Sequence, residues 1–213
     1  GESLRGRSGS AKPSFPFRMF NSAKECITAN IKHPDGRQLI KDLVPQVDVV
    51  LENFSPGTLA DNGLGSDILC PLNPRLIYAA GTGYGGSGPY RDYLGMDITL
   101  QAMSGVMSVT GDADSPPTKA GAAFCDILGG AHLYAGIVSA VYQREQTGKG
   151  AVIDISMQDC VFPALATQLG TYFQLGHQPA RTGNRHSGMA LAPYNVYQAK
   201  DGHVAMICFR GEH

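Results

Sequence analysis

Asp126 opens the run D-I-L-G-G at 126–130, directly ahead of a strongly helical segment. A carboxylate at a helix N-terminus is held ionised by free backbone N–H groups and the helix dipole. It can serve there as a cap or as an oxygen nucleophile, and the local pattern leaves both roles open. Gly129 and Gly130 follow within the first turn or so, where each glycine weakens a helix by about 1 kcal/mol. Either a thin ligand arm passing close to the backbone or tight helix packing accounts for them. A second candidate is the glycine loop at 81–89 (GTGYGGSGP), whose backbone N–H groups are suited to a developing oxyanion. Other reactive types have plainer explanations. Cys125 and Cys160 lie in no signature of a nucleophilic thiol, and the six histidines show no metal-ligand spacing, so no metal is expected. Asp154 falls inside a strand and Asp159 near a helix start; both are backup nucleophiles.

Alternating helix and strand patterns must position these groups. Asp35 is read as the cap of a short helix ending at Leu43, and 47–52 (VDVVLE) as a buried strand ending at Asn53. A second strand at 75–80 (RLIYAA) empties into the glycine loop, the place where open α/β sheets bind ligands. Ile98, Leu100, Met103, Val106 and Met107 give 97–110 one apolar helical face. The long helix at 127–146 stops at T-G-K-G (147–150), which places Asp126 at its N-cap. A strand at 151–156, an apolar helix at 158–175, a loop at 177–188 and strands at 193–198 and 202–209 complete the chain. The opening segment to Pro16 reads as a loop.

With 17 Lys+Arg against 18 Asp+Glu, no global positive field draws in nucleic acid or an anionic membrane. A hydrophobic share of 43% with 16% charged residues describes a well-buried fold that takes a small, locally held ligand. Five scattered cysteines without a C-x-x-C pair are expected to be reduced thiols in a cytoplasmic protein. Neither a membrane-spanning run nor a signal-peptide pattern is read from the sequence, so no membrane association is expected.

Several stretches, in order and spacing, resemble the class III coenzyme A transferases, the group that includes formyl-CoA and carnitine CoA-transferases. V-V-L-E-N-F-S-P-G at 49–57 is similar to the family's E-N-F/Y-x-P-G segment, and L-N-P-R-L-I-Y at 72–78 to its N-P-R strand. G-Y-G-G-S-G-P at 83–89 resembles its glycine loop. Asp97 with Q-A-M-S-G at 101–105, D-x-x-x-G at 126–130, and T-G-K-G before a strand complete the set. The resemblance runs from about Phe20 to Phe209. It implies an α/β fold with a Rossmann-like large domain at 1–157, a linker at 158–185 and the start of a small domain at 186–213, with the chain truncated at both ends. It also implies an interlocked homodimer.

The resemblance gives Asp126 the role of nucleophile. It attacks an acyl-CoA, becomes a mixed anhydride and then carries CoA as an enzyme thioester until a second carboxylic acid takes it. The implied CoA contacts are Asn30, Ile31, Lys32, Asn53, Phe54, Ser55, Met96 and Asp97, with Lys32 placed to meet a phosphate. Two departures bear on that edge: Asn30 stands where an acidic residue is common, and Glu25 where a basic one is frequent. Three other readings remain. An acyl-CoA racemase of the same fold uses a histidine where this chain has Met96. A non-catalytic piece that binds CoA or pairs with a partner is of another class. The formal G-x-G-x-x-G at 81–86 suggests a dinucleotide site, but Pro89 follows where a helix should open.

Overall fold

Helix–strand alternation with glycine turns between is the pattern of a parallel sheet covered by helices. The computed structural model describes residues 5, 6 and 13–209 and forms such a sheet. Its strands are β1 (Val49–Glu52), β2 (Ile77–Thr82) and β3 (Ala151–Ser156), in the order β1-β2-β3 with both pairings parallel. Val49 lies opposite Ile77, and Ile77 opposite Ala151, so the three C-terminal ends rise together at one edge. The fold is α/β, as the sequence predicts. Most of the expected opening loop, and residues 210–213 of the expected small domain, lie outside the described residues.

Eight α-helices accompany the strands among the described residues: α1 (Phe15–Asn21), α2 (Pro34–Leu43), α3 (Thr58–Asp61), α4 (Ser66–Leu69), α5 (Asp97–Met103), α6 (Val106–Val109), α7 (Phe124–Thr147) and α8 (Ala166–Leu175). An antiparallel pair follows, β4 (Tyr194–Gln198) with β5 (His203–Ile207). Three local expectations are corrected. The cap of α2 is His33, whose Nδ1 accepts from the Asp35 N–H at 3.3 Å, with Asp35 already in the first turn. The helix expected over 97–110 is divided because Gly105, at φ 91°, takes a left-handed conformation open to glycine. The helix expected over 158–175 begins as a 3-10 stretch, Asp159–Leu165, where Pro163 has no N–H for a helical bond.

Two packed clusters hold the site in place. Val44, Leu59, Leu64, Leu69, Leu76 and Tyr78 cover one part of the sheet. Leu100, Val106, Cys125, Val161 and Leu165 join α5, α6, the 3-10 stretch and the first turn of α7. Cys125 and Leu100 have no exposed surface, so the residue after Cys125 is carried on a fixed base. Further along α7, Leu133 lies on Gly81, and an ideal Cβ at Gly136 would meet Ile153 Cγ2 at 3.2 Å. By length and composition α7 is the one described helix able to cross a membrane, and here it lies along β2 and β3. At its far end Arg144 is buried and meets Asp48 Oδ1 at 3.0 Å while donating to the Arg75 carbonyl at 3.2 Å.

Candidate active site

Gly83 and Gly95 bring two loops into backbone contact: an ideal Cβ on Gly83 would stand 2.7 Å from Gly95 Cα. This approach delivers Met96 and Asp97 to the edge of the sheet. Thr99 then closes the start of α5, its Oγ1 accepting from the Met96 N–H at 2.9 Å. Asp97, the first residue of α5, points to the beginning of α7. Its Oδ1 accepts from the N–H of Cys125 at 2.8 Å and of Asp126 at 3.4 Å.

Asp126 is therefore the third residue of α7 and not its N-cap, which corrects the sequence expectation. The helix starts earlier, at Phe124, and the cap position is held by Ala123, which has no side chain to offer. A carboxylate from another helix does the capping instead. The Phe124 N–H donates to the Ala122 carbonyl at 2.9 Å and the Ile127 N–H to the Ala123 carbonyl at 3.1 Å, so the first turn presents no spare donors. Asp126 itself is exposed, and its carboxylate accepts no hydrogen bond from a described residue. Partial desolvation at the cleft edge, and then the nearby Asp97 charge, push its carboxyl above the ordinary range. A more basic carboxylate is a better oxygen nucleophile.

Asp126 faces a cleft of about 720 Å³. Asn53, Phe54 and Ser55 line it from beyond the end of β1, residues 81–83 from the end of β2 and the loop that follows, Met96 and Asp97 from the start of α5, and Gly130, Leu133, Tyr134 and Ile137 from α7. Asn53 Nδ2 donates to the Gly81 carbonyl, tying the ends of two strands together. The Phe54 N–H donates to Glu52 Oε2 at 2.8 Å, and Phe54 remains half-exposed toward the cleft. Burial raises the Glu52 carboxyl, against the lowering effect of that bond. No lysine, arginine or histidine is among the lining residues.

Six of the nine sequence-derived site residues thus converge: Asn53, Phe54, Ser55, Met96, Asp97 and Asp126. Asn30, Ile31 and Lys32 lie outside the lining, in the turn that enters α2. Asn30 Oδ1 accepts from the Lys32 N–H at 3.1 Å, Ile31 packs against the cluster around Leu59, and Lys32 is exposed. The glycine loop divides. Gly83 lines the cleft, whereas Tyr84, Gly85, Ser87, Gly88 and Pro89 line a second cavity of about 450 Å³ with Asp154 and Asp159. The loop turns away because Gly85 (φ 78°) lets the Gly86 N–H reach Asp154 Oδ2 at 2.8 Å, and the Tyr84 ring packs tilted against Tyr90 and edge-to-face against Tyr93. The two backup nucleophiles therefore do not share a cavity with Asp126.

The paired glycines separate into two roles. A Cβ at Gly129 would lie 2.8 Å from Met157 Cγ, so that residue serves packing, while Gly130 faces open space in the cleft. The apolar stripe Leu133, Tyr134 and Ile137 is absent from the sequence-derived set; it follows Gly130 at three- and four-residue spacing, a signal that helical periodicity carries. Cys125 is a core thiol pushed up to about 11 by burial and then by Asp97 and Asp126. Among the described residues, no group of three or more His, Cys, Asp or Glu is arranged to hold a metal ion.

Comparison with known proteins extends this geometry. Residues 1–213 match the family described as CoA-transferase family III. The chain belongs to that family. It is similar to the acetyl-CoA:oxalate CoA-transferase of Acetobacter aceti, with 42% identity over 196 residues, covering 92% of this chain and 50% of that protein. The succinate–glutarate CoA-transferase of Agrobacterium fabrum is 40% identical over 190 residues, covering 89% of this chain and 47% of its own. A crystal structure of a CAIB/BAIF family protein from Brucella suis superposes with a TM-score of 0.79 at 41% identity, covering 85% of this chain and 48% of that one. The chain thus spans about half the length of the family III relatives it matches. That solved structure supports the Rossmann-like reading of the parallel sheet.

Proposed function

We propose that the protein to which this chain belongs transfers coenzyme A from an acyl-CoA to a free carboxylic acid, with Asp126 as nucleophile. The observation that carries the proposal is the release of Asp126 from capping: Asp97 satisfies the start of α7, and the Asp126 carboxylate stands open in the cleft. An Asp126 oxygen attacks the thioester carbonyl, the C–S bond breaks, and CoA leaves as thiolate from an acyl-aspartyl anhydride. The thiolate then attacks the aspartyl carbonyl, forming the enzyme thioester and releasing the first carboxylate. An acceptor carboxylate reverses both steps, so no proton or water is consumed. Water must be excluded from the anhydride, and the apolar wall of Leu133, Tyr134 and Ile137 suits that requirement.

The relatives named for oxalate, succinate and glutarate support small carboxylic acids as acceptors. Met96 beside Asp97 carries a thioether, which exchanges no proton, and this favours transfer over racemisation. Replacing Asp126 by Asn in the full-length protein, with a panel of acyl-CoA donors and free acids, tests the proposal. A folded variant should lose transfer by orders of magnitude; a variant near the parent rate would remove Asp126 from the mechanism. An interlocked homodimer and a cytoplasmic setting, with its thiols reduced, extend the same reading. Light scattering of the purified protein tests the first, where a monomer would count against it, and cell fractionation tests the second, where recovery outside the cytoplasm would.

A further inference from the structure

Asp97 differs from the other cleft residues in that both of its oxygens are already engaged. Oδ1 accepts from the Cys125 and Asp126 N–H groups, and Oδ2 accepts from Gln101 Nε2 at 2.7 Å. Gln101 has no exposed surface. Its Oε1 accepts from the Ala120 N–H at 2.8 Å, and its Nε2 also reaches the Ala122 carbonyl at 3.3 Å. The pair therefore grips the segment that enters α7 at both ends: Gln101 holds residues 120–122, and Asp97 holds the two N–H groups that follow. A buried amide in fixed geometry orients Asp97, and Asp97 orients the peptide from which the Asp126 side chain springs. A carboxylate so committed has little capacity left for a ligand.

We propose that Asp97, held by Gln101, is a positioning residue that fixes the Asp126 carboxylate for attack, and not a contact for coenzyme A. The proposal rests on Asp126 being the nucleophile. Misplacing a reacting group by about 1 Å costs on the order of a hundredfold in rate, so loosening the first turn of α7 acts on the chemical step. Asp97 also sets the charge around Asp126. The other titratable side chain lining the cleft is Tyr134, and no cation among the lining residues offsets the two carboxylates. The Asp97 charge raises the Asp126 carboxyl, so removing it lowers the pH at which Asp126 becomes anionic.

The test uses full-length enzyme with Asp97→Ala and Asp97→Asn, each checked for fold by circular dichroism. Asp97→Ala removes the acceptor, and kcat should fall roughly tenfold to a hundredfold while KM for the acyl-CoA changes less than about threefold. Asp97→Asn keeps an oxygen for the Cys125 N–H and removes the charge; it should retain more of kcat than the Ala variant and shift the acid limb of the kcat/KM profile to lower pH. A rise in KM of about tenfold or more with kcat unchanged, in either variant, would make Asp97 a ligand contact and overturn the proposal. Unchanged kcat and pH profile in Asp97→Asn would overturn it too, even if the Ala variant does not fold. Failure of the underlying reading has a separate signature, since Asp126→Asn would then keep its transfer activity.

Discussion

Gly83 and Gly95 face each other backbone to backbone, and a Cβ built on Gly95 would stand 2.6 Å from Gly83 Cα. That contact seats residues 94–97 against the end of β2 and so aims Asp97 at the start of α7. Gly95→Ala must push the loops apart, at a cost of about 1–3 kcal/mol as in other overpacked positions. The expected outcome is a lower denaturation midpoint together with faster amide exchange at Cys125 and Asp126, whose N–H groups lose their aligned acceptor. Unchanged exchange at those two amides would show that the glycine contact does not control the site.

Asp126 is predicted to cost stability while it serves the reaction. Its carboxyl is raised in the folded chain, so the native state binds its proton more tightly than the unfolded one. Stability should therefore fall as pH rises from the unfolded carboxylate value through the folded one, and the cost persists above it. Asp126→Asn should be at least as stable as the parent at neutral pH, with the advantage disappearing at a pH below the unfolded value. Because α7 is capped by Asp97, Asp126→Ala should also fold. Thermal melts of parent and variants across that range check the sign; a destabilised Asn variant at neutral pH would contradict it.

The cysteines offer a simpler check. Cys26 is exposed, whereas Cys125 and Cys160 are buried and both thiols are pushed upward, Cys125 to about 11. Alkylation by iodoacetamide near pH 8 should label Cys26 quickly and leave Cys125 unmodified until the chain is unfolded. Rapid labelling of Cys125 in native protein would mean that the cluster beneath Asp126 opens readily.

The sequence carried the sheet better than the site. Strand β3 appears at 151–156 as read, because a run of β-branched residues follows a glycine stop. The division of 97–110 was legible in Gly105, but an apolar face that continues past it concealed the break. The cap of α7 is not legible at all: the acceptor of its N–H groups is Asp97, nearly thirty positions away, and the Gly83–Gly95 contact helps bring the two together. For the same reason the sequence presents the glycine loop as one ligand-facing unit, whereas Asp154, in β3, draws Gly86 toward the other cavity. Local pattern reports propensity and capping preference; it does not report which distant side chain satisfies an N–H group.

Trapping the acylated side chain tests the central claim most directly. Anhydrides and thioesters yield to hydroxylamine far faster than amides do, so full-length enzyme given an acyl-CoA and then hydroxylamine should carry a hydroxamate. Peptide mass spectrometry should place it on Asp126, and the Asp126→Asn variant should carry none. A hydroxamate on Asp154 or Asp159, or no adduct on enzyme that is turning over, would contradict the assignment of Asp126 as the residue that carries coenzyme A.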